Sequence, residues 1–225
     1  MVGTVHRDPG GRRKLLELLR REQPSVISVE ISPYARFFRA RKGAAFRATL
    51  RENLRRIQRE TGISWRDLLS HGAIQGIFLL LKEPFEWQAA REYAEETGSR
   101  VRDIDLSEFS EERLSHLSET VSAENIRALL ALRSPPLRVQ VKGHYDRARF
   151  LFSHPPSVWV KSREIQEREF IMAEKIRILF LQRQRKKMIH VGGWEHLLEF
   201  SGEPSLYGLL KDLQPRRVLL AEGEN

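Results

Sequence analysis

Four short apolar runs, three of them reached through a helix-forming segment, constrain this chain more than any other feature. Met1 to Val5 is apolar and β-branched. Asp8-Pro9 then supplies an N-cap and a proline at the first helical position. Leu15, Leu18 and Leu19 form an apolar stripe at i, i+3, i+4. After the break at Gln23-Pro24, Ser25 to Ile31 has the pattern of a buried strand. Strand, helix of about a dozen residues and strand make a parallel βαβ unit.

The same order returns along the chain. Pro84 to Thr97 predicts a helix with Trp87, Ala90 and Ala94 on one side, stopped by Gly98. Val101 to Ile104 follows as a short strand ending at Asp105. Ser162 to Arg185 predicts a long helix, followed by Lys187 to Val191 and then Gly192-Gly193. Arg217 to Leu220 is a candidate final strand. The pattern predicts an α/β fold, an open and mostly parallel sheet with flanking helices.

Between these units the chain reads as helical. Phe46, Leu50, Leu54 and Ile57 form one stripe, ended at Thr61-Gly62. Ser64 and Asp67 have capping-box spacing, and Ile74, Ile77, Phe78 and Leu81 continue the next helix. Two more helices are predicted over residues 107–133. The 225 residues therefore suggest one domain with helical insertions at about 35–82 and 107–159.

Composition narrows the chemistry. The chain has no cysteine, which removes disulfides, thiolate metal sites and a cysteine nucleophile. No apolar run has the length of a signal peptide or of a membrane helix, so a soluble, cytoplasmic protein is expected. The net charge of +9, with 30 of the 39 basic residues arginine, permits an anionic partner without specifying one. HExxH, a Walker-type phosphate loop and GxSxG are all missing from the sequence.

In open parallel sheets, ligands bind at the carboxyl ends of the strands. Each of the first four predicted strands delivers a polar group there. The first gives His6, the second Glu30 and the third Asp105, while the fourth leads through Gly193 to His196. Two imidazoles and one or two carboxylates on one edge suit a divalent cation with an open position for water. A polar residue at a strand end is equally what a chain leaving a core presents. Arg168 shares the helical stripe of Ile165, Met172, Ile176 and Leu179, where an arginine needs an anionic partner or a wet cavity. Either it pairs with Glu164 and points outward, or it reaches the edge site.

These residues resemble a family. Gly3-Thr4-Val5-His6 and Gly193-Trp194-Glu195-His196 are two GxxH motifs near opposite ends of the chain. With Val29-Glu30, with Glu86, Ala89, Ala90 and Ala94 leading to Ile104-Asp105, and with the run from Arg168 to Ala173, they are similar to the TraB/PrgY/GumN family, which includes the Tiki proteins. The similarity spans roughly residues 1–32, 84–106 and 160–200. It implies a fold like that of the erythromycin esterase and ChaN proteins, and a metal-dependent peptidase-like hydrolase acting on a peptide or small acyl substrate. His6, Glu30 and His196 would hold a divalent ion such as zinc, manganese or cobalt, and Arg168 would stabilise negative charge. Gly3 and Gly193 would let the backbone turn tightly before each histidine, with Asp105 in support. Glu195 is a second candidate for the base. Trp194 and Glu195 stand where the family usually has small residues, and Leu106 stands where it often has arginine.

Two other classes remain open. Arg47, Arg51, Arg55 and Arg59 lie at i, i+4 spacing on one helical face, as an anion-binding or nucleic-acid-binding module would need, although a solvated face looks the same. A regulatory protein that keeps the fold without the chemistry would leave the edge residues more than about 10 Å apart, against metal bonds near 2 Å.

Overall fold

The structure, a computed structural model, describes residues 1–157, 160–182, 187–200 and 204–220. In chain order the elements begin with β1 (Val2–Thr4), α1 (Gly11–Glu22), β2 (Val26–Val29), α2 (Pro33–Thr61), α3 (Trp65–Ser70), α4 (Gly72–Leu80) and α5 (Phe85–Thr97). Next come β3 (Arg100–Asp103), α6 (Ser107–Ser115), α7 (Leu117–Thr120), α8 (Ala123–Leu130) and α9 (Leu137–Ser153). The last are α10 (Arg163–Gln182), β4 (Met188–Gly193), α11 (Leu206–Leu209) and β5 (Val218–Leu219). The end of the helix expected up to Arg185 lies outside the described residues. The chain divides into two compact units. The first holds Met1–Ile31, Phe85–Leu106 and the chain from Gly143 onward, and the second holds Ser32–Pro84 with Ser107–Lys142.

The first unit is an open α/β layer. Among the described residues its strands run in the order β3-β2-β4-β1-β5, and every neighbouring pair is parallel. All four residues of β2 (Val26-Ile27-Ser28-Val29) are buried, as expected of an interior strand covered on both faces. Helices α1 and α5 pack against each other. On the opposite layer, Met172, Ala173 and Ile176 of α10 form a core with Ile104, Leu206 and Leu210, and Met188 packs against it. Ser28 lies in register with His190, so by strand alternation Glu30 and Gly192 project to the same face as that pair.

Some boundaries differ from the sequence expectation for local reasons. Helix α1 starts at Gly11 rather than at Pro9, because the Asp8 carboxylate accepts the Gly10 N–H at 2.8 Å in a turn before the helix. The inward row of α5 is Glu86, Ala89, Ala90 and Tyr93, with Trp87 and Ala94 only half-buried. Helix α5 ends where expected, at Gly98 in the left-handed conformation (φ 73°).

Most of the helical stretches between the strand-bearing segments gather in the second unit. Ser32 caps α2 by accepting the Ala35 N–H at 3.0 Å. The helix then runs 29 residues, buries Leu50, Leu54 and Ile57, and stops at Gly62 (φ 72°). It packs against α6 and α8. This unit ends at Lys142, short of the expected 159. From Gly143 on, α9 belongs to the first unit, where the buried Tyr145 hydroxyl lies 3.4 Å from both the Val5 N–H and Asp8 Oδ2. No helix among the described residues is long and apolar enough to cross a membrane.

Candidate functional site

The carboxyl ends of the strands in the first unit gather five of the residues singled out from sequence. Glu30, which directly follows β2, is central. Its Oε1 accepts from Arg168 Nη2 at 2.6 Å and stands 3.0 Å from His196 Nε2. Its Oε2 accepts the Gly193 N–H at 2.7 Å and stands 3.8 Å from His6 Nε2. Arg168 also binds Asp105, with Nε to Oδ1 at 2.6 Å and Nη2 to Oδ2 at 2.9 Å. Of the two sequence alternatives for Arg168, its hydrogen bonds follow the one in which it reaches the strand edge. Lys175 donates to the Ile104 carbonyl at 3.0 Å, which anchors the loop that carries Asp105.

Each histidine is backed by a glutamate that sequence reasoning missed. His6 Nδ1 lies 2.9 Å from Glu86 Oε1, and His196 Nδ1 lies 2.6 Å from Glu169 Oε1. Both carboxylates are buried and themselves held, Glu86 by the Thr4 hydroxyl at 2.8 Å and Glu169 by the Lys161 ammonium. Both histidines therefore direct Nε2 toward Glu30. His6 sits at the tip of a tight turn after β1, with Arg7 at φ 69° and the Asp8 N–H returning to the Val5 carbonyl at 3.1 Å. Its side chain is half-exposed, whereas that of His196 is 12% exposed.

The charges are strongly coupled. Burial pushes the Glu30 carboxyl up, but His196, His6 and Arg168 outweigh it and hold the group well below the usual carboxylate range. Burial pushes the His196 imidazole down, yet Glu30 and Glu169 raise it to about 10. His6 is raised as well, because the bond and charge of Glu86 exceed the desolvation that lowers it.

The glycines matter for space rather than for turning. Gly193 has ordinary angles (φ −59°, ψ 137°), so the expected tight turn is not its role. A Cβ there would sit 3.0 Å from His6 Nε2, and the Gly193 N–H is spent on Glu30. A Cβ on Gly3 would meet the Cα and Cβ of Trp194 at 3.1 Å, so the buried tryptophan of the second motif packs directly on the glycine of the first. Gly192 is tighter still, with its Cβ position 2.8 Å from Glu30 Oε2 and 2.9 Å from His190 Nε2. Gly192→Ala is expected to push the Glu30 carboxylate off the Gly193 N–H and to cost about 1–3 kcal/mol. A urea midpoint unchanged from wild type would show that the carboxylate adapts freely.

Glu195 is not part of the cluster. Its side chain is exposed, and among the described residues only its carbonyl is used, accepting from Leu198 N. The wide separation expected of a scaffold is not found, since the edge residues touch directly. In the second unit, Arg47 donates to the Leu81 carbonyl at 2.8 Å and Arg51 lies 5.7 Å from the Phe78 ring centre; Arg51, Arg55 and Arg59 are all exposed. Arg59 Nε also donates to the Arg55 carbonyl at 3.4 Å, so three of the four arginines of the row have a local partner. No protein-family model matches the chain, and neither a curated protein nor a solved structure matches it.

Proposed function

We propose that the strand-edge cluster is the active site of a hydrolase of the TraB-like kind, using a divalent metal ion. One observation carries this: two carboxylate–imidazole pairs turn their Nε2 atoms toward one carboxylate. In the neutral tautomer each Nδ1–H is given to Glu86 or Glu169, which leaves a lone pair on Nε2 facing the lone pairs of Glu30. Such a convergence of acceptors needs a cation between them, either a proton or a metal. Carboxylates on the outer nitrogen are also the usual support of metal-bound histidines.

Among the described residues no three His, Asp or Glu side chains form a ready-made metal site. The chemistry of the donor set nevertheless fits a divalent ion, and the missing side chains of Gly192 and Gly193 keep the space beside Glu30 Oε2 and His6 Nε2 open. His6, Glu30 and His196 would hold it. When bound, the ion would lower the pKa of a coordinated water, to about 7 on zinc.

The chain's own residues do the rest. Glu86 and Glu169 fix the tautomer and direction of the two imidazoles. Thr4 and Lys161 keep those carboxylates in place. Arg168, locked by Asp105, points its charge at Glu30 and leaves Nη1 without a hydrogen bond among the described residues, available to an oxygen that gains negative charge. His6 is the imidazole that reaches solvent, so substrate approaches from its side. A peptide or small acyl bond is the substrate class that the family resemblance implies.

The test is cobalt titration of the full chain after chelator treatment, read by visible absorption and by calorimetry at neutral pH. Wild type should bind one equivalent; His6→Ala and His196→Ala should lose it. Glu169→Gln, which removes only the outer support of His196, should weaken binding by about 10–100-fold. A panel of fluorogenic peptides and acyl esters, turned over by wild type and not by Glu30→Gln, would then define the bond. Absence of metal binding at neutral pH sinks the proposal.

A further inference from the structure

The opposite, amino edge of the sheet in the first unit carries a second feature that the proposed chemistry does not use. A cavity of about 480 Å³ opens there, within the range of about 300–1,000 Å³ usual for small-molecule sites. Its walls are apolar, built from Leu18 of α1, Ile176 and Phe180 of α10, Met188 of β4 and Leu213 before β5. His190 also lines it. That side chain is 2% exposed, with Nδ1 3.1 Å from the Ser28 hydroxyl and Nε2 turned to the Gly192 backbone on the side toward Glu30 rather than into the cavity. Burial keeps the imidazole neutral, with its pKa pushed down to about 3.

The rim has an unbalanced charge. Lys187, Arg216 and Arg21 all turn to the one carboxylate of Glu22, at 2.8, 3.1 and 3.6 Å. Three cations on a single anion leave an excess of two positive charges beside an apolar hollow. Each rim cation is more than half exposed, so its head group is free to move onto a ligand without breaking the core. Arginine and lysine together suit a carboxylate or phosphate head.

We propose that this cavity binds a small amphiphile, with an apolar chain seated among Leu18, Ile176, Phe180 and Leu213 and an anionic head held by Arg21, Lys187 and Arg216. The site lies at the end of the strands away from Glu30, and nothing in its recognition depends on hydrolysis or on a metal.

Decanoate is a suitable probe, titrated into the full chain by calorimetry, with the methyl resonance of Met188 followed by NMR. One equivalent should bind and shift that resonance. Decanol, which keeps the chain without the charge, should bind at least about tenfold more weakly, and acetate, which keeps the charge without the chain, should not bind. Decyl phosphate in place of decanoate distinguishes a phosphate from a carboxylate head. The double change Lys187→Glu with Arg216→Glu, both at exposed positions, should weaken decanoate at least about tenfold while leaving the urea midpoint near wild type. Equal binding of decanol and decanoate would overturn the proposal. So would full binding in the rim variant together with its loss in Arg168→Lys, since the anion would then sit at the carboxyl edge.

Discussion

Arg168→Met should destabilise the first unit by about 3–5 kcal/mol, the cost of stranding a buried partner charge. Methionine replaces most of the arginine stem, so little packing is lost and the effect isolates the charge. In wild type the guanidinium bridges Glu30 and Asp105, whose side chains are 5% and 10% exposed. Without it, two carboxylates face one another with fewer donors. The Gly193 N–H and His196 remain for Glu30, and the Leu106 N–H remains for Asp105. Arg168→Lys should fall between the two, because an ammonium keeps the charge but cannot match the two parallel bonds to Asp105. Adding Asp105→Asn to Arg168→Met should recover part of the loss, since one unpaired carboxylate is then removed. Urea unfolding at neutral pH measures all three. A wild-type midpoint for Arg168→Met would mean that the bridge is not a stabilising element.

The sequence carried the site's strand-end residues but not their supports, and the reason is local. His6, Glu30, Asp105 and His196 were legible because helical crossovers make strands parallel, and parallel strands share a carboxyl edge. Arg168 was legible because its charge interrupts an apolar stripe. Glu86 and Glu169 were not, since a glutamate on a helix is most often solvated. A signal was nevertheless present. Glu86 heads the row Glu86, Ala89, Ala90, Tyr93, and Glu169 heads the row Glu169, Met172, Ala173, Ile176. Both are the same i, i+3, i+4, i+7 stripe with a carboxylate in its first place, on the two helices that flank the sheet. The face expected from Trp87, Ala90 and Ala94 is rotated from the row that α5 buries, and the family resemblance includes Glu86 without giving it a role. The role of Gly193 was misjudged for a different reason: a glycine in a motif can be needed for clearance as readily as for a turn, and only the positions of His6 and Glu30 distinguish the two. The division into two units was illegible because it depends on helices packing on one another across long stretches of sequence.

A different histidine should limit stability on the acid and on the alkaline side of neutrality. His196 is raised to about 10 in the folded chain, against a reference near 6.5. A base with raised affinity binds more proton folded than unfolded, so its contribution is complete below about pH 6.5 and is lost as pH climbs toward 10. His190 is the reverse. Burial lowers it to about 3, so the unfolded chain takes up the proton first and stability falls as pH drops from about 6.5 toward 3. Each span corresponds to about 4–5 kcal/mol at 1.4 kcal/mol per tenfold change in proton affinity, as an order of magnitude. Glu30, held well below the carboxylate range, adds to the acid loss only below about pH 4.5. The two limbs separate by substitution. His196→Gln should shrink the alkaline limb between pH 7 and 10 to the part that the raised His6 contributes and keep the acid one, while His190→Gln should flatten the fall between about pH 6 and 4. Urea midpoints taken at each pH for the three proteins decide it. An alkaline limb of unchanged size in His196→Gln would show that the His196 imidazolium is not the cation held between Glu30 and Glu169.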